Sequence, residues 1–398
     1  LEYFVTYPAG TIKSYGDKYQ NDQLIYSFTS KPQTLWMWGN NFYGALGQNL
    51  GYPSTDRYSS PVQVPGTTWA TAANIHSHTL ATKTDGTLWA WGTNQWGGLG
   101  QNTHNPYPSG TGYAEGASSP IQIGTDTTWG KDYKNLSAGL DCLHVKTDGT
   151  LWAWGNNENG ALGLNQDDVH RSSPTQVGTD TTWSDVSGSG VQRQVAIKTD
   201  GTLWSWGYNL YGELGINTSV RVSSPTQVGT NTTWSKVMTQ NSGTGSLGLK
   251  TDGTLWVWGL NQFGGLGLND RTGRSSPTQV GTDTTWSDIS SGCYQNNNDG
   301  TLWGWGLGND GVHGQNNEQS FSSPVQIPGT TWSKVELGNK KRYGAKTDGT
   351  LWSWGYNTEG GLGHNSRIVR SSPVQIPGTN WIASTMRGGK NAFTVMRS

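Results

Sequence analysis

Charge is scarce in this chain. Only 13% of its 398 residues are charged, and 26 Lys and Arg against 27 Asp and Glu leave a formal net charge of −1. That balance lacks the basic footprint of a nucleic-acid binder and the cationic surface that draws a protein to anionic lipid. Cysteine is nearly absent, with Cys142 and Cys293 alone, which excludes a disulfide-built scaffold. No run approaches the roughly 20 apolar residues of a membrane-spanning helix. No stretch keeps a helical period of apolar residues. Glycine and tryptophan are plentiful instead, at 58 and 22 copies. Disordered chains avoid aromatics, so this composition describes a folded, turn-rich protein.

The tryptophans are not scattered. Leu-Trp-x-Trp-Gly occurs seven times, beginning at Leu35, Leu88, Leu151, Leu203, Leu255, Leu302 and Leu351. Gly-x-Leu-Gly follows in six copies, and the sixth copy reads Gly311-Val312-His313-Gly314 instead. Ser-Ser-Pro-x-Gln comes next, and then a third Trp: Trp69, Trp129, Trp183, Trp234, Trp286, Trp332 and Trp381. Three per copy accounts for 21 of the 22, leaving only Trp96. A tryptophan count tied this closely to a repeat points to architecture before chemistry.

Each copy reads as strands. Asp-Gly, as in Asp200-Gly201, tolerates the positive φ angles of a tight hairpin turn. In Leu203-Trp204-Ser205-Trp206 the indoles take one face and the smaller residues the other. Proline has no N–H to donate, so Ser-Ser-Pro suits an outer strand. About four short strands per copy, seven times over, predict an all-β fold: a seven-bladed β-propeller. The last copy ends in "AFTVMRS" and the first begins at Thr34-Leu35-Trp36 without an Asp-Gly before it. The strand around Phe393–Met396 is therefore expected to pair with Leu35–Trp38 and close the ring. This divides the chain into an N-terminal arm or linker, 1–33, and a propeller, 34–398.

The unit Asp-Gly-x-Leu-(aromatic)-x-Trp-Gly-x-Asn-x-x-Gly-x-Leu-Gly resembles the repeat of the regulator of chromosome condensation family. The resemblance covers residues 34–398 and implies a seven-bladed propeller. The short, near-identical copies look like the family's bacterial and phage members. The resemblance leaves function open, because the family's ring serves nucleotide exchange, UV-B sensing, ubiquitin ligases and enzyme inhibition. The family's Gly-x-x-His survives only at His78; the same slot elsewhere holds Asp141, Arg193, Gly245, Lys341 and Asn391. The Gly-Trp-Arg-His-Thr motif of the plant photoreceptor is absent.

No catalytic set, cofactor motif or metal-ligand cluster can be defended. The serines are repeat serines, and the Gly-rich stretches recur in every copy without a following Lys-Ser/Thr. His76-x-His78 lacks the Cys or carboxylate partners of a metal site. Paired Trp on a central strand reads as core, each burying on the order of 200 Å². Two features stand above this background. The segment between each third Trp and the next Asp-Gly varies while its flanks repeat, which suits a ring face turned to a partner. It carries Arg193, Lys340, Lys341, Arg342, Arg387 and Lys390, an expected basic face. The two long links after Gly-x-Leu-Gly, Gln48–Tyr58 and Gln101–Ala117, carry Tyr52, Arg57, Tyr58, His104, Tyr107 and Tyr113, residue types of adaptable binding surfaces.

The expected function is therefore non-enzymatic. The chain reads as a binding or structural propeller, extracellular or on a virion surface. Its partner is a protein, a neighbouring subunit or a surface glycan, without a cofactor and without nucleic acid. Two alternatives stand beside it: a secreted inhibitor capping another protein's active site, and an intracellular exchange or regulatory factor.

Overall fold

The structure, a computed structural model, describes residues 2–6, 25–29, 34–41, 43–50, 57–74, 78–103, 116–132, 134, 136–189, 192–240, 245–290, 294–338, 340–388 and 392–397. Seven four-stranded antiparallel sheets form the blades of a ring. The fourth blade shows the plan: Trp183–Ser189 innermost, then Arg193–Lys198, Leu203–Gly207 and Val222–Gln227 outermost. The innermost strands of neighbouring blades meet around a central channel. Glu2–Thr6 and Ile25–Thr29 pair as a separate two-stranded sheet.

Closure follows the expected register. Ala392–Arg397 lies beside Thr34–Asn40, with Leu35 opposite Met396 and Trp38 opposite Phe393. The first blade thus takes its two inner strands from the C-terminal end of the chain and its two outer strands from the N-terminal part. In six copies the third Trp opens the innermost strand of the following blade; Trp129 instead bridges Lys146 ahead of the strand Leu136–Ala138.

The repeated residues each have a structural cause. In Asp-Gly-Thr-Leu-Trp the Asp carboxylate closes the hairpin: the Thr87 hydroxyl donates to Asp85 Oδ1 at 2.7 Å and its N–H donates at 2.9 Å. These bonds from Thr87 hold the Asp85 carboxyl below its ordinary range. The same hydroxyl accepts the Trp89 indole N–H at 2.8 Å. Thr87→Val removes two of these bonds. It is expected to cost about 1–2 kcal/mol, read as a lower urea midpoint with an unchanged slope.

The lysine before Thr-Asp-Gly is part of the same unit. Lys198 Nζ lies 3.8 Å from the Trp204 ring and 4.7 Å from the Trp183 ring, and it pairs with Asp180. Lys83, Lys146, Lys250 and Lys346 likewise sit over their Trp rings, and Lys146 also pairs with Asp126. A cation over an indole face is attracted by the ring quadrupole.

Gly-x-Leu-Gly joins the blades. The carbonyl of Ala161 accepts the Trp206 indole N–H of the next blade at 2.9 Å. Gly160 and Gly163 have φ of +73° and +71°. A Cβ on Gly163 would stand 2.9 Å from Trp206 Nε1, and one on Gly160 would strike Ser223 at 2.4 Å. Only glycine meets both demands. The sixth copy departs in sequence and keeps the joint: Val312 supplies the carbonyl, 2.7 Å from Trp354 Nε1. His313 sits fully buried in place of the Leu and contacts the Gly306 carbonyl at 3.0 Å.

Candidate functional site

Strand order fixes what each face of the ring carries. Chain leaving the innermost strand, and chain leaving Leu-Trp-x-Trp-Gly, emerges on one face, here the upper. The Asp-Gly hairpins and the links into each third Trp lie on the lower face. Among the described residues, the large hydrophobics that stand exposed are Val169, Leu210, Tyr211, Val220, Phe263, Leu307, Ile368 and Val369. All eight fall in connections of the upper face, spread over the third to seventh blades. Val220, Ile368 and Leu210 are 67%, 61% and 58% exposed. Single exposed apolar residues are ordinary, but their confinement to one face is not.

Sequence spacing places part of this set. The residue before Gly-x-Leu-Gly is Tyr43, Trp96, Tyr211 and Phe263 in four copies. Tyr211 and Phe263 are exposed, while Tyr43 and Trp96 are half-buried. Trp96 packs on His170 of the next blade, with ring centroids 4.5 Å apart. Trp96 is thus a loop anchor. Arginines stand at or beside the start of the outer strands: Arg57, Arg171, Arg221, Arg274 and Arg370. Arg221 reaches Asp167 of the preceding blade at 3.2 Å, and Arg274 pairs with Asp270 at 2.7 Å.

The residues expected in the long links divide. Arg57 is exposed at the start of the first blade's outer strand. Tyr58 is half-buried and packs on the core between blades. Tyr52, His104, Tyr107 and Tyr113 lie outside the described residues. The links that carry them begin and end on the upper face.

The expected basic face requires correction. Arg193 is buried, and its guanidinium donates to the carbonyls of Gln240 and Gly245 at 2.9 and 3.0 Å. Lys341 and Arg342 are buried too, and Arg387 binds Glu336 at 2.8 Å. Lys340 is exposed and lies 3.1 Å from Asp310. Lys390 lies outside the described residues. Five of the six therefore form no open patch. The reason is geometric: the slot that begins the second strand faces the next blade. His78 there meets Cys142 at 3.1 Å, Asp141 accepts from Gln194, and Arg193 crosses to the fifth blade. Burial pushes the Asp141 carboxyl up to about 7 and the Cys142 thiol well above its ordinary value. Variation at this slot makes matched joints between particular pairs of blades.

The central channel holds a feature the sequence reading passed over. In five blades the third Trp is followed by a β-bulge, as between Trp183 and Asp185 and between Trp234 and Lys236. A bulge turns the strand, and here the second residue after the Trp lines the channel. That residue alternates in sign from blade to blade: Asp185, Lys236, Asp288, Lys334. Lys236 Nζ bonds Asp288 at 2.8 Å and the Ser287 carbonyl at 2.9 Å. Glu336 lies between Lys334 at 3.3 Å and Arg387 at 2.8 Å. Burial raises the Asp185 carboxyl to about 7, against the pull of Lys134, Arg387 and Lys236. Burial, with Arg387 nearby, lowers Lys334 to about 8. The alternation was legible as Trp-Ser-Asp and Trp-Ser-Lys in turn.

Four stretches of the chain, 148–190, 200–240, 252–296 and 348–390, match the Regulator of chromosome condensation (RCC1) repeat. The Ultraviolet-B receptor UVR8 of Arabidopsis thaliana is 29% identical over 264 residues, 65% of this chain and 55% of the receptor. The mitochondrial RCC1 domain-containing protein RUG3 of the same plant is 26% identical over 234 residues, 56% of this chain and 49% of its own length. The chain thus spans about half the length of each. Among solved structures, Prp20p of Saccharomyces cerevisiae superposes with a TM-score of 0.77 at 17% identity, covering 93% of this chain and 92% of Prp20p. Its description records binding to Gsp1p and histones. The repeat matches and relatives support the family, and the structural likeness shows the propeller fold. Kinship with bacterial and phage members in particular is not supported. The expectation of an extracellular or virion-surface location is overturned: the relatives are intracellular proteins, one named for the mitochondrion and one described with histones.

Proposed function

We propose that this chain, a propeller whose repeats match those of the regulator of chromosome condensation family, is an intracellular protein-binding module of the regulatory kind. It docks a protein partner on its upper face. The observation that carries this reading is the confinement of all eight exposed large hydrophobics to that face. Apolar groups rimmed by arginines are the composition of a protein-binding patch, where aromatic and Arg residues are enriched. Prp20p, described as binding two kinds of protein, supports a protein ligand.

The test is recovery of cross-linked partner from cells that make the protein. Tyr211→Ser combined with Phe263→Ser removes two exposed aromatics and no core contact. The pair is expected to leave the melting temperature unchanged and to cut partner recovery at least about tenfold. Asp252→Asn, on the lower face, should leave recovery intact. Equal recovery from the aromatic double variant and the parent would remove the upper face from consideration.

A further inference from the structure

The channel charge has a consequence apart from the docking face. Lys134, Lys236, Lys334 and Arg387 come from the third, fifth, seventh and first blades, and all line one cavity. The carboxylates facing them are Asp185, Asp288 and Glu336. Among the described residues, four cations against three anions leave one unit of positive charge in the channel. We propose that this channel is a binding site for a small tetrahedral oxyanion, sulfate or free phosphate, held among these four cations.

Three observations support the site. First, it is built: the side chains of Lys334 and Glu336 are only 8% and 3% exposed, and Arg387 only 12%. Charge held at that depth is poorly screened by water and salt, so it acts strongly on an ion that enters. Second, the cavity offers about 60 Å³ to the centres of water-sized atoms. A single water needs about 10–15 Å³ on that measure. The space is wide enough to admit a free oxyanion. Third, Lys334 and Arg387 lie close enough for their charges to oppose each other, with Glu336 between them. An anion beside that pair relieves the repulsion.

The site carries its own pH dependence. Asp185 faces Lys134, Lys236 and Arg387 and accepts the Val237 N–H. Its carboxyl, raised to about 7, takes up a proton as pH falls from 8 to 6. The channel charge then rises by about one unit at Asp185, and Lys334, lowered to about 8, adds to the rise as it completes its protonation, so an anion of fixed charge binds more tightly at the lower pH. By linkage, binding raises proton uptake at Asp185.

Isothermal titration of the full chain with sulfate in low-chloride buffer tests this, because sulfate keeps its charge across the range. One saturable site is expected, about three- to tenfold tighter at pH 6 than at pH 8. Lys236→Met should weaken binding at least about tenfold. Asp185→Asn keeps the side-chain volume and removes the titrating charge. It should bind more tightly than the parent at pH 8, and the pH dependence that remains should be the smaller one set by Lys334. This variant keeps the question answerable if Lys236→Met fails to fold. Phosphate should compete with sulfate for the same site. No saturable heat, equal displacement by chloride, or an unchanged pH profile in Asp185→Asn would each overturn the proposal.

Discussion

Trp206→Ala is expected to lower the unfolding free energy by about 3–5 kcal/mol, the range for large-to-small changes in a packed core. Trp206 is fully buried, donates to the Ala161 carbonyl of the preceding blade, and meets Trp183 edge-on at 6.1 Å. Its loss opens a void on a blade-to-blade seam and strands a buried carbonyl. Trp204, two residues earlier, gives the contrast. It is half-buried, bonded to Thr202 in its own hairpin and covered by Lys198. Trp204→Ala removes a cation–π contact and one hydrogen bond, and about 1–2 kcal/mol is expected. Urea unfolding of the two variants side by side measures the difference. Equal losses would mean that the two indoles share the seam, against the burial seen here.

That inequality marks where sequence reasoning stopped. The Leu-Trp-x-Trp alternation correctly put both indoles on one side of the strand. It could not rank their depth, because position along the strand decides it. Trp206 lies level with the neighbouring Gly-x-Leu-Gly turn, while Trp204 lies toward the hairpin. The seven copies, the Asp-Gly hairpins and the closing strand were all legible because each has a local chemical cause at a fixed spacing. The glycines of Gly-x-Leu-Gly were visible as a motif, but their cause was not. It lies in Ser223 and Trp206, some 40 to 60 residues along the chain.

The functional residues were harder for a related reason. A propeller blade is buried on both faces, so a polar residue on a strand need not point to water. Arg193 and Lys341 read as surface charge, yet Arg193 crosses to the next blade and Lys341 is buried within its own. The upper-face aromatics were partly visible as Tyr211 and Phe263 before Gly-x-Leu-Gly. Their exposure depended on the connection standing clear of its neighbour, which Trp96 does not. The channel belt hid behind the β-bulges that precede Asp185, Lys236, Asp288 and Lys334. A bulge shifts the two-residue alternation by one and leaves no mark in a hydrophobic pattern. Only the change of sign between successive copies, Asp185 to Lys236 to Asp288 to Lys334, was there to be read.

A chain ending before Ala392 is expected to lose cooperative unfolding and to aggregate. The missing strand, Ala392–Arg397, pairs on one side with Trp381–Gly388 and on the other with Thr34–Asn40. It carries the backbone hydrogen bonds that join the two halves of the first blade, which otherwise meet through the rings of Trp36, Trp38 and Trp381. Phe393, Val395 and Met396 are fully buried, and Phe393 stacks on Tyr343 of the seventh blade at 3.9 Å. Its removal uncovers Trp38 and Met37, both fully buried in the closed ring. It also leaves Thr34–Asn40 with an open edge, a template for pairing with another chain. Stability in repeat arrays comes largely from contacts between neighbours, so an open ring loses the contacts that a closed ring shares all round. Thermal denaturation and light scattering of the truncated chain test this together. A sharp transition at the parent's temperature without scattering would show that the other six blades hold the ring without the closing strand. Adding the missing strand back as a synthetic peptide provides the complementary measurement. If closure depends on this pairing, the peptide should restore a cooperative transition, and the same composition in scrambled order should not.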